Sequence, residues 1–522
     1  MSRPPVGAFV ALAIAGVVAG GFGALFSAAG DASDLVSIGP YLTRVLGFSV
    51  AQAALSTLLS VVLGSALALA LARRRFAARQ WVVAALGAAS VMPAIVVVFA
   101  VTAIYGRSGL VLGPLRNSGI DIDFRIFGWP GILIAHVFLN APFVARVYLN
   151  ALAAVPAEQW RLAQTLGFSP AQVFLHIDWP VIKSELAGLA GLVFLLCFTS
   201  FAIVLTLGGG SGRATLEVAI FQALKADLDF GRAAWLGLVQ IAICASLAAL
   251  IYGLVRHTPV GRTVRSAIDR PDAADTSLKR LDAVVLFVST VLIAPPLASL
   301  AFSLPHIPAI LDEDVARALL TSLVVAFLSA GFACAMAFAL AAGARGERLI
   351  HRRPRRAMLY DLVPAVVLAV PPFALTAGLF LIVRRVMEPA LAGYLLLPLM
   401  NALNALPFAY RFIAPAVTTT GERYGHLADL IGLRGSSRLR IVDWPLLRRP
   451  LAAAFAMAMA LSFGDFGVVA LFGGTELRTL PYLLYERLGA YRLDEASALG
   501  LLLVAVAFTL TFASFRWSDA VR

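Results

Sequence analysis

The chain has 522 residues, of which 60% are hydrophobic and 14% are charged, and its formal net charge is +13. A mean hydropathy of +0.88 excludes a soluble globular protein, because the interior of two or three soluble domains cannot hide so much apolar surface. The arginines stand in short loops between apolar runs, so the positive charge indicates membrane topology rather than binding to nucleic acid.

Apolar runs of about 20 residues, long enough to cross a lipid bilayer, follow one another along the chain. The sequence predicts twelve spans, near residues 7–28, 51–72, 83–105, 131–152, 187–208, 233–255, 281–303, 319–343, 359–385, 390–415, 449–472 and 495–516. The first run is longer than the core of a signal peptide, so we expect it to be retained as a membrane helix. Pro93, Pro371 and Pro372 are expected to bend the third span of each half.

The loops alternate in charge along the chain. Basic residues crowd the segments 73–79, 256–280 and 345–356, whereas the alternate loops carry acids or few charges. Because Lys and Arg accumulate in cytoplasmic loops, we expect both termini and the central connector to face the cytoplasm. The polar segments 157–186 and 422–450, which we call the first elbow and the second elbow, fall on the same side.

The two elbows carry a repeated stretch. The first reads RLAQTLGFSPAQVFLHIDWP at residues 161–180, and the second reads HLADLIGLRGSSRLRIVDWP at residues 426–445, 265 positions later. Residues 157–166 and 422–431 are predicted helices, and each ends at a glycine that can adopt the left-handed conformation, Gly167 or Gly432. We expect a second short helix, which the Trp-Pro pair ends or redirects. A simple structured loop between two spans is the alternative, and the repetition disfavours it.

Matching segments outside the elbows predict two tandem halves. Ser56-Thr57-Leu58 and Thr321-Ser322-Leu323 open the second span of each half, again 265 residues apart. The predicted fold is all-α and membrane-embedded, with six-helix halves at 1–257 and 279–522 joined by a cytoplasmic connector at 258–278. Repeats that run in the same direction predict a pseudo-two-fold axis along the membrane normal.

No catalytic or metal-binding pattern occurs in the sequence. Residues 208–215, GGGSGRAT, lack the lysine of a phosphate loop, and Cys197, Cys244 and Cys334 have no metal-ligand spacing. We expect no enzyme site, metal or cofactor in this chain, so uphill transport requires another subunit or an ion gradient.

Asp465 is the clearest acid inside a predicted span, about two-thirds along the eleventh helix. Ser200 is the counterpart of Asp465 in the first repeat. Asp465, Phe466 and Ser200 are candidates for the substrate pathway, where Asp465 would meet a polar or cationic solute. A structural aspartate that is hydrogen-bonded inside the helix bundle is the alternative. One acid is little for a coupling-ion site, although an ion-coupled secondary transporter remains the alternative from a different class.

The elbows resemble the cytoplasmic "EAA" loop of ABC importer permeases, in which a proline follows a glycine after thirteen residues. Gly167 with Pro180 and Gly432 with Pro445 have this spacing. Arg161 and His426 replace the first acid of that loop, so we do not expect the salt bridge that this acid makes in the family. The resemblance implies contact with an ATPase through Arg161, Ala163, Leu166, Gly167, Phe168, Ser169, Pro180, His426, Ala428, Ile431, Gly432, Leu433, Arg434 and Pro445.

Residues 464–503 resemble the end of fused permeases for thiamine and thiamine pyrophosphate, through Gly464-Asp465-Phe466 and Thr479-Leu480-Pro481. Fused ferric-iron permeases share the twelve-span plan, and ferric iron or a polyamine stays open as the solute. The resemblance implies a type I ABC importer permease, a multi-pass protein of the bacterial inner membrane. Its implied partners are two copies of a cytoplasmic ATPase, which would bring ATP and Mg, and a periplasmic or lipid-anchored solute-binding protein.

Overall fold

The computed structural model describes residues 6–28, 35–90, 92–107, 109–118, 124–210, 213–254, 270–433, 435–472, 477–490 and 492–520. Most of the predicted connector and Arg434 lie outside these residues. The α-helices are α1 Val6–Ala28, α2 Leu35–Arg73, α3 Arg79–Ser90, α4 Ala94–Tyr105, α5 Leu112–Asn117, α6 Trp129–Ala153, α7 Ala157–Thr165, α8 Pro170–Val173, α9 Trp179–Phe198, α10 Ala202–Leu207, α11 Leu216–Lys225, α12 Phe230–Leu254, α13 Thr276–Ala301, α14 Glu313–Arg345, α15 Pro354–Ala369, α16 Pro372–Val383, α17 Pro389–Leu430, α18 Gly435–Arg438, α19 Trp444–Phe463, α20 Gly467–Phe472, α21 Leu480–Gly489 and α22 Leu493–Ala520.

The predicted all-helical membrane fold is confirmed, and the described residues contain no strand. Ten helices in the described part of the chain are long and apolar enough to cross a membrane, or twelve if each of two bent pairs is one span. The bent pairs are α3 with α4, at 116°, and α15 with α16, at 93°. Pro93 and Pro371 stand directly before the second helix of each pair. The predicted proline breaks are therefore confirmed, and they are far sharper than a local bend.

Several helices run well past the apolar segments that predicted them. The second predicted span, 51–72, lies within the 39-residue helix α2, and α17 continues for 42 residues through the predicted span at 390–415. Hydropathy marks only the part of a helix that matches the bilayer, whereas a helix continues until its backbone is interrupted. The predicted span boundaries were wrong at these places for that reason.

The chain divides into two compact units that do not follow chain order. One unit comprises residues 1–42, 216–245 and 305–522. Its centre is formed by α14, α17 and α19, and α1 packs against α14 and α16. The backbone of α1 at Gly21 lies so close to α16 that a Cβ added at Gly378 would come within 1.9 Å of the Gly21 carbonyl oxygen.

The other unit comprises residues 43–215 and 246–304. Helix α6 packs against α3 and α9, and α13 packs against α3 and α4. The Tyr105 hydroxyl donates a hydrogen bond to the Val291 carbonyl oxygen of α13, at 3.2 Å. The first unit thus combines α1, α11 and most of α12 with the C-terminal helices, whereas α13 belongs to the second unit. The division into halves at 258–278 remains a prediction, and the compact units cut across it.

Candidate functional site: the two elbows

The first elbow is closed by a left-handed glycine, as the sequence predicted. Helix α7 begins after Pro156, which supplies a break because proline has no N–H for the preceding helix. Gly167 has φ of +63°. The amide of Phe168 donates to the Ala163 carbonyl at 3.0 Å, and the amide of Gly167 donates to Gln164 at 3.1 Å. This double closure is a Schellman cap, which turns the chain sharply and satisfies the last carbonyls of α7.

A small apolar core of its own stiffens the first elbow. It consists of Trp160, Ala163, Val173 and Ile177, with Phe168 packed against it. The next turn, α8, begins with a capping box, in which the Ser169 amide donates to Gln172 at 2.8 Å and the Gln172 amide donates back at 3.4 Å. The elbow therefore has a fixed shape without support from a partner.

The second elbow is also closed by a left-handed glycine. Gly432 has φ of +72°, and the amide of Leu433 donates to the Ala428 carbonyl at 2.9 Å. The predicted separate helix at 422–431 is corrected, because this segment is the end of the continuous helix α17. Gly421, 265 positions after Pro156, has the N–H that proline lacks, so the helix does not break there.

The Trp-Pro pair does not end a helix in either elbow, and that prediction was wrong. The chain stays helical through each pair, from Pro170 to Phe198 in the first elbow and from Gly435 to Phe463 in the second. A π turn precedes each pair, at Phe174–Asp178 and at Leu439–Asp443. The wider π turn shifts the hydrogen-bond register, and the proline then stands at the start of regular helix, where its missing N–H costs little.

The predicted elbow residues divide by exposure. Ala163 and Ala428 are buried under the caps, and Phe168 and Leu433 are half-buried; Arg161, Leu166, Gly167, Ser169, Pro180, His426, Ile431, Gly432 and Pro445 are exposed. Leu166 is 59% exposed and Ile431 is 64% exposed. Each elbow thus presents an apolar side chain at the tip of a rigid turn. Arg434 lies outside the described residues.

Two buried aspartates in the elbows were missed by sequence reasoning. Asp178 accepts two hydrogen bonds from Arg270, at 3.0 Å and 2.7 Å, and Asp443 accepts one from Arg345, at 3.1 Å. Burial alone would lower the pKa of Arg270, but its hydrogen bonds to Asp272 and Asp178 outweigh burial and raise that pKa. The repeated Asp-Trp-Pro letters were a signal, yet the partners lie more than 90 residues away in sequence and no local pattern connects them.

The candidate pathway residues lie at helix breaks. Asp465 was expected within a helix, but it stands between α19 and α20, and its carboxylate accepts from the Val468 amide at 3.3 Å. It is therefore a helix cap, because a carboxylate at this position satisfies an unpaired N–H. Phe466 is buried, with its ring centroid 4.8 Å from that of Tyr485. Ser200 lies in the break between α9 and α10, and its carbonyl accepts from Thr215 at 3.3 Å. Their role in transport stays a prediction.

The described residues also contain no group of three His, Cys, Asp or Glu side chains that could hold a metal ion.

An all-helical membrane fold of this kind, with rigid turns between its spans, is the fold of a type I transport permease. Residues 60–258 match the family model described as "Binding-protein-dependent transport system inner membrane component".

Full-length relatives extend this match to nearly the whole chain. The thiamine transport system permease protein ThiP of Brucella melitensis is 37% identical over 519 residues, which cover 98% of this chain and 95% of that protein. The protein of the same description from Salmonella typhimurium is 37% identical over 90% of this chain and 88% of its own length. The sulfate transport system permease protein CysW of Synechococcus elongatus is 29% identical over 40% of this chain and 74% of its own. The chain belongs to the family of binding-protein-dependent transport permeases of the inner membrane.

Proposed function

We propose that this protein is the membrane-spanning permease subunit of an ATP-driven importer for thiamine or thiamine pyrophosphate. The observation that carries the proposal is the 37% identity over 98% of the chain to a thiamine permease. The sulfate permease matches only 40% of the chain. Residues 464–503, which resemble the end of thiamine permeases, fall in the part of the chain that the family model leaves unmatched.

The elbows are the proposed contacts with the ATPase subunits. Two separate ATPase copies each bind one elbow on the cytoplasmic side, and ATP and Mg bind to those subunits rather than to this chain. The capped turns support this assignment, because they fix exposed apolar tips at Leu166 and Ile431. An apolar side chain on a preorganised turn loses little conformational entropy when it enters a groove. A periplasmic or lipid-anchored solute-binding protein delivers the solute to the opposite face.

Transport proceeds by alternating access. When the ATPase pair closes, it moves the two elbows, and the helices that continue from them rock with them. Helix α9 follows directly from the π turn of the first elbow, and α19 follows from that of the second. A continuous helix transmits displacement better than a flexible loop does. Both termini lie in the cytoplasm in this topology.

Asp465, Phe466 and Ser200 are the proposed pathway residues. The helix breaks at 199–201 and 464–466 leave backbone groups outside regular hydrogen bonding, and irregular backbone within a membrane protein occurs where it lines a cavity or is enclosed by protein. The carboxylate of Asp465 suits a cationic solute such as thiamine. Ferric iron and polyamines are the other solutes that the sequence leaves open.

The test is ATPase stimulation in the assembled transporter. The permease is purified with its ATPase and reconstituted in proteoliposomes, and the binding protein is added with thiamine, thiamine pyrophosphate, ferric iron or a polyamine. We expect thiamine or its pyrophosphate to stimulate hydrolysis and to accumulate inside. Stimulation by iron or a polyamine alone would refute thiamine or its pyrophosphate as the transported solute. Uptake driven by an ion gradient without the ATPase would refute the importer and indicate a secondary transporter.

A further inference from the structure

A buried cluster of charges surrounds the base of the first elbow. It contains three arginines and three aspartates whose side chains are at most 15% exposed: Arg73, Arg74, Arg270, Asp178, Asp272 and Asp282. Among the residues that the structure describes, the charges of this cluster balance. A balanced cluster is required here, because an unpaired charge in a buried position is strongly destabilising.

Arg270 lies at the centre of this cluster and contacts the elbow at two places. Its guanidinium donates to both carboxylate oxygens of Asp178 and also to Asp272, at 3.0 Å and 2.9 Å. The guanidinium carbon lies 4.4 Å from the centroid of the Trp160 ring. Trp160 belongs to the apolar core of the elbow, and Asp178 ends its π turn. A planar guanidinium suits this position, since it can stack on an aromatic ring while it forms paired bonds at its edge.

The cluster continues from Arg270 to the ends of two long helices. Asp272 lies 4.0 Å from Arg73. Asp282 near the start of α13 accepts from Arg73 at 2.7 Å and from Arg74 at 2.6 Å, where α2 ends. Arg74 also donates to the carbonyl of residue 273 at 2.6 Å. The elbow is therefore connected to α2 and α13 through a short segment at the end of the predicted connector.

The second elbow is held differently, although it carries the same acid. Asp443 is bonded to Arg345 at the end of α14, and Arg438 of the same elbow lies 3.9 Å away. Arg345 is more exposed than Arg270, at 18% against 7%. Neither partner of Asp443 comes from the connector. The two elbows share their caps but differ in what anchors them.

We propose that the end of the connector, residues 270–275, is a clamp that positions the first elbow. Arg270 is the positioning residue: it fixes the elbow through Asp178 and Trp160, and Asp272 links it to the ends of α2 and α13. This inference rests on the proposed contact between the elbows and the ATPase. When the ATPase moves the tip at Leu166, the clamp makes the ends of α2 and α13 follow.

The experiment measures the mobility of each elbow in the reconstituted transporter. A spin label is placed at Leu166→Cys or at Ile431→Cys, in a background in which the half-buried Cys334 is replaced by alanine. We expect Arg270→Ala to increase label mobility in the first elbow and to leave the second unchanged. Arg345→Ala is the matched control and should have the opposite pattern. The number of solute molecules transported per ATP should fall about fivefold or more in Arg270→Ala, with an unchanged KM for the solute.

Two further variants keep the test valid if Arg270→Ala does not reach the membrane. Arg270→Gln combined with Asp178→Asn removes one charge of each sign, so the cluster stays balanced while the clamp is lost. Arg270→Lys keeps the charge without the paired geometry, and it should give an intermediate mobility and coupling ratio.

The outcomes separate this inference from the proposed function. Cross-linking from the same two cysteines tests whether the elbows touch the ATPase. If both cross-link but the balanced double variant changes neither the mobility of the first elbow nor the coupling ratio, the clamp is refuted and the function stands. Equal loosening of both elbows also refutes the clamp, because it indicates general destabilisation. If neither elbow cross-links, the assignment of the elbows as ATPase contacts fails.

Discussion

The cap glycines allow a graded test of the elbows. At Gly167 an added Cβ would meet nothing within 4 Å, and the same holds at Gly432. Substitution there therefore acts through the backbone alone. A residue with a Cβ costs about 1–2 kcal/mol in the left-handed region, and asparagine costs least because its short polar side chain tolerates that region. Asparagine is the matched control, with alanine next.

Proline has a much larger effect than alanine at these positions. Its ring fixes φ near about −65°, whereas Gly167 has φ of +63°. It also removes the donor of the 3.1 Å bond to Gln164, which is worth about 1 kcal/mol. The summed cost, about 3 kcal/mol or more, exceeds what a single cap contributes, so the elbow must leave the capped conformation. Alanine shifts the same equilibrium only about 5- to 30-fold.

The assay is the ratio of solute transported to ATP hydrolysed, in proteoliposomes with the ATPase and the binding protein. We expect Gly167→Pro and Gly432→Pro to reach the membrane at normal levels and to lose coupling at least tenfold, with Asn close to wild type and Ala between them. Two proline variants that transport normally at equal expression would refute the role of the caps. An equal loss in the Asn variants would show that glycine is needed for space against a partner and not for its φ angle.

Three other predictions follow from buried contacts outside the elbows. Burial raises the pKa of Glu217 from its ordinary 4.5 to about 8, so the folded protein binds this proton more tightly than the unfolded chain, and the free energy of unfolding falls as pH rises between these values. We expect the wild type to lose about 2 kcal/mol of this free energy between about pH 6 and 8, and Glu217→Gln to abolish that loss in thermal unfolding in detergent. An unchanged pH dependence in the variant would contradict the prediction. Gly378→Ala should destabilise the protein strongly, because its methyl would meet the Gly21 backbone at 1.9 Å, whereas Gly20→Ala, with only a side-chain atom at 3.9 Å, should be neutral in the same assay. Asp465→Asn should keep the cap, since the asparagine side chain also accepts a hydrogen bond from a backbone N–H. Because the negative charge is lost, we expect the KM for a cationic solute to rise about tenfold. An unchanged KM would show that Asp465 is only a structural cap.

The residues next to each position were sufficient to predict the glycine caps of the elbows and the proline breaks of the bent helix pairs. Gly167 and Gly432 adopt the left-handed conformation that a helix end favours, and Pro93 and Pro371 stand at the breaks of the two bent helix pairs. These features depend on one residue and its immediate neighbours, and backbone geometry restricts glycine and proline in the same way in every protein.

Features that depend on distant residues were not predictable. The bond between Asp178 and Arg270 joins residues 92 positions apart, and Arg270 looked like one more basic residue in a cytoplasmic loop. The packing of α1 on α16 is likewise invisible to hydropathy, because every span has apolar faces that suit many neighbours. The π turns were missed since the Trp-Pro pair reads as a helix end unless the register shift before it is known.

Charges are an expensive way to attach an elbow to the helices beneath it, because each must be removed from water. Apolar contacts would hold the same surfaces together, but they tolerate sliding. In the first elbow each carboxylate oxygen of Asp178 has its own nitrogen of Arg270, at 3.0 Å and 2.7 Å, and a displacement of about 1 Å would exceed hydrogen-bond length at both. Loss of one partner then leaves an uncompensated buried charge, which costs about 3–5 kcal/mol. The bonds between Asp178 and Arg270 are therefore either both formed or both lost. A contact that transmits a small displacement of the elbow to the helices needs this all-or-none geometry more than it needs a large binding energy.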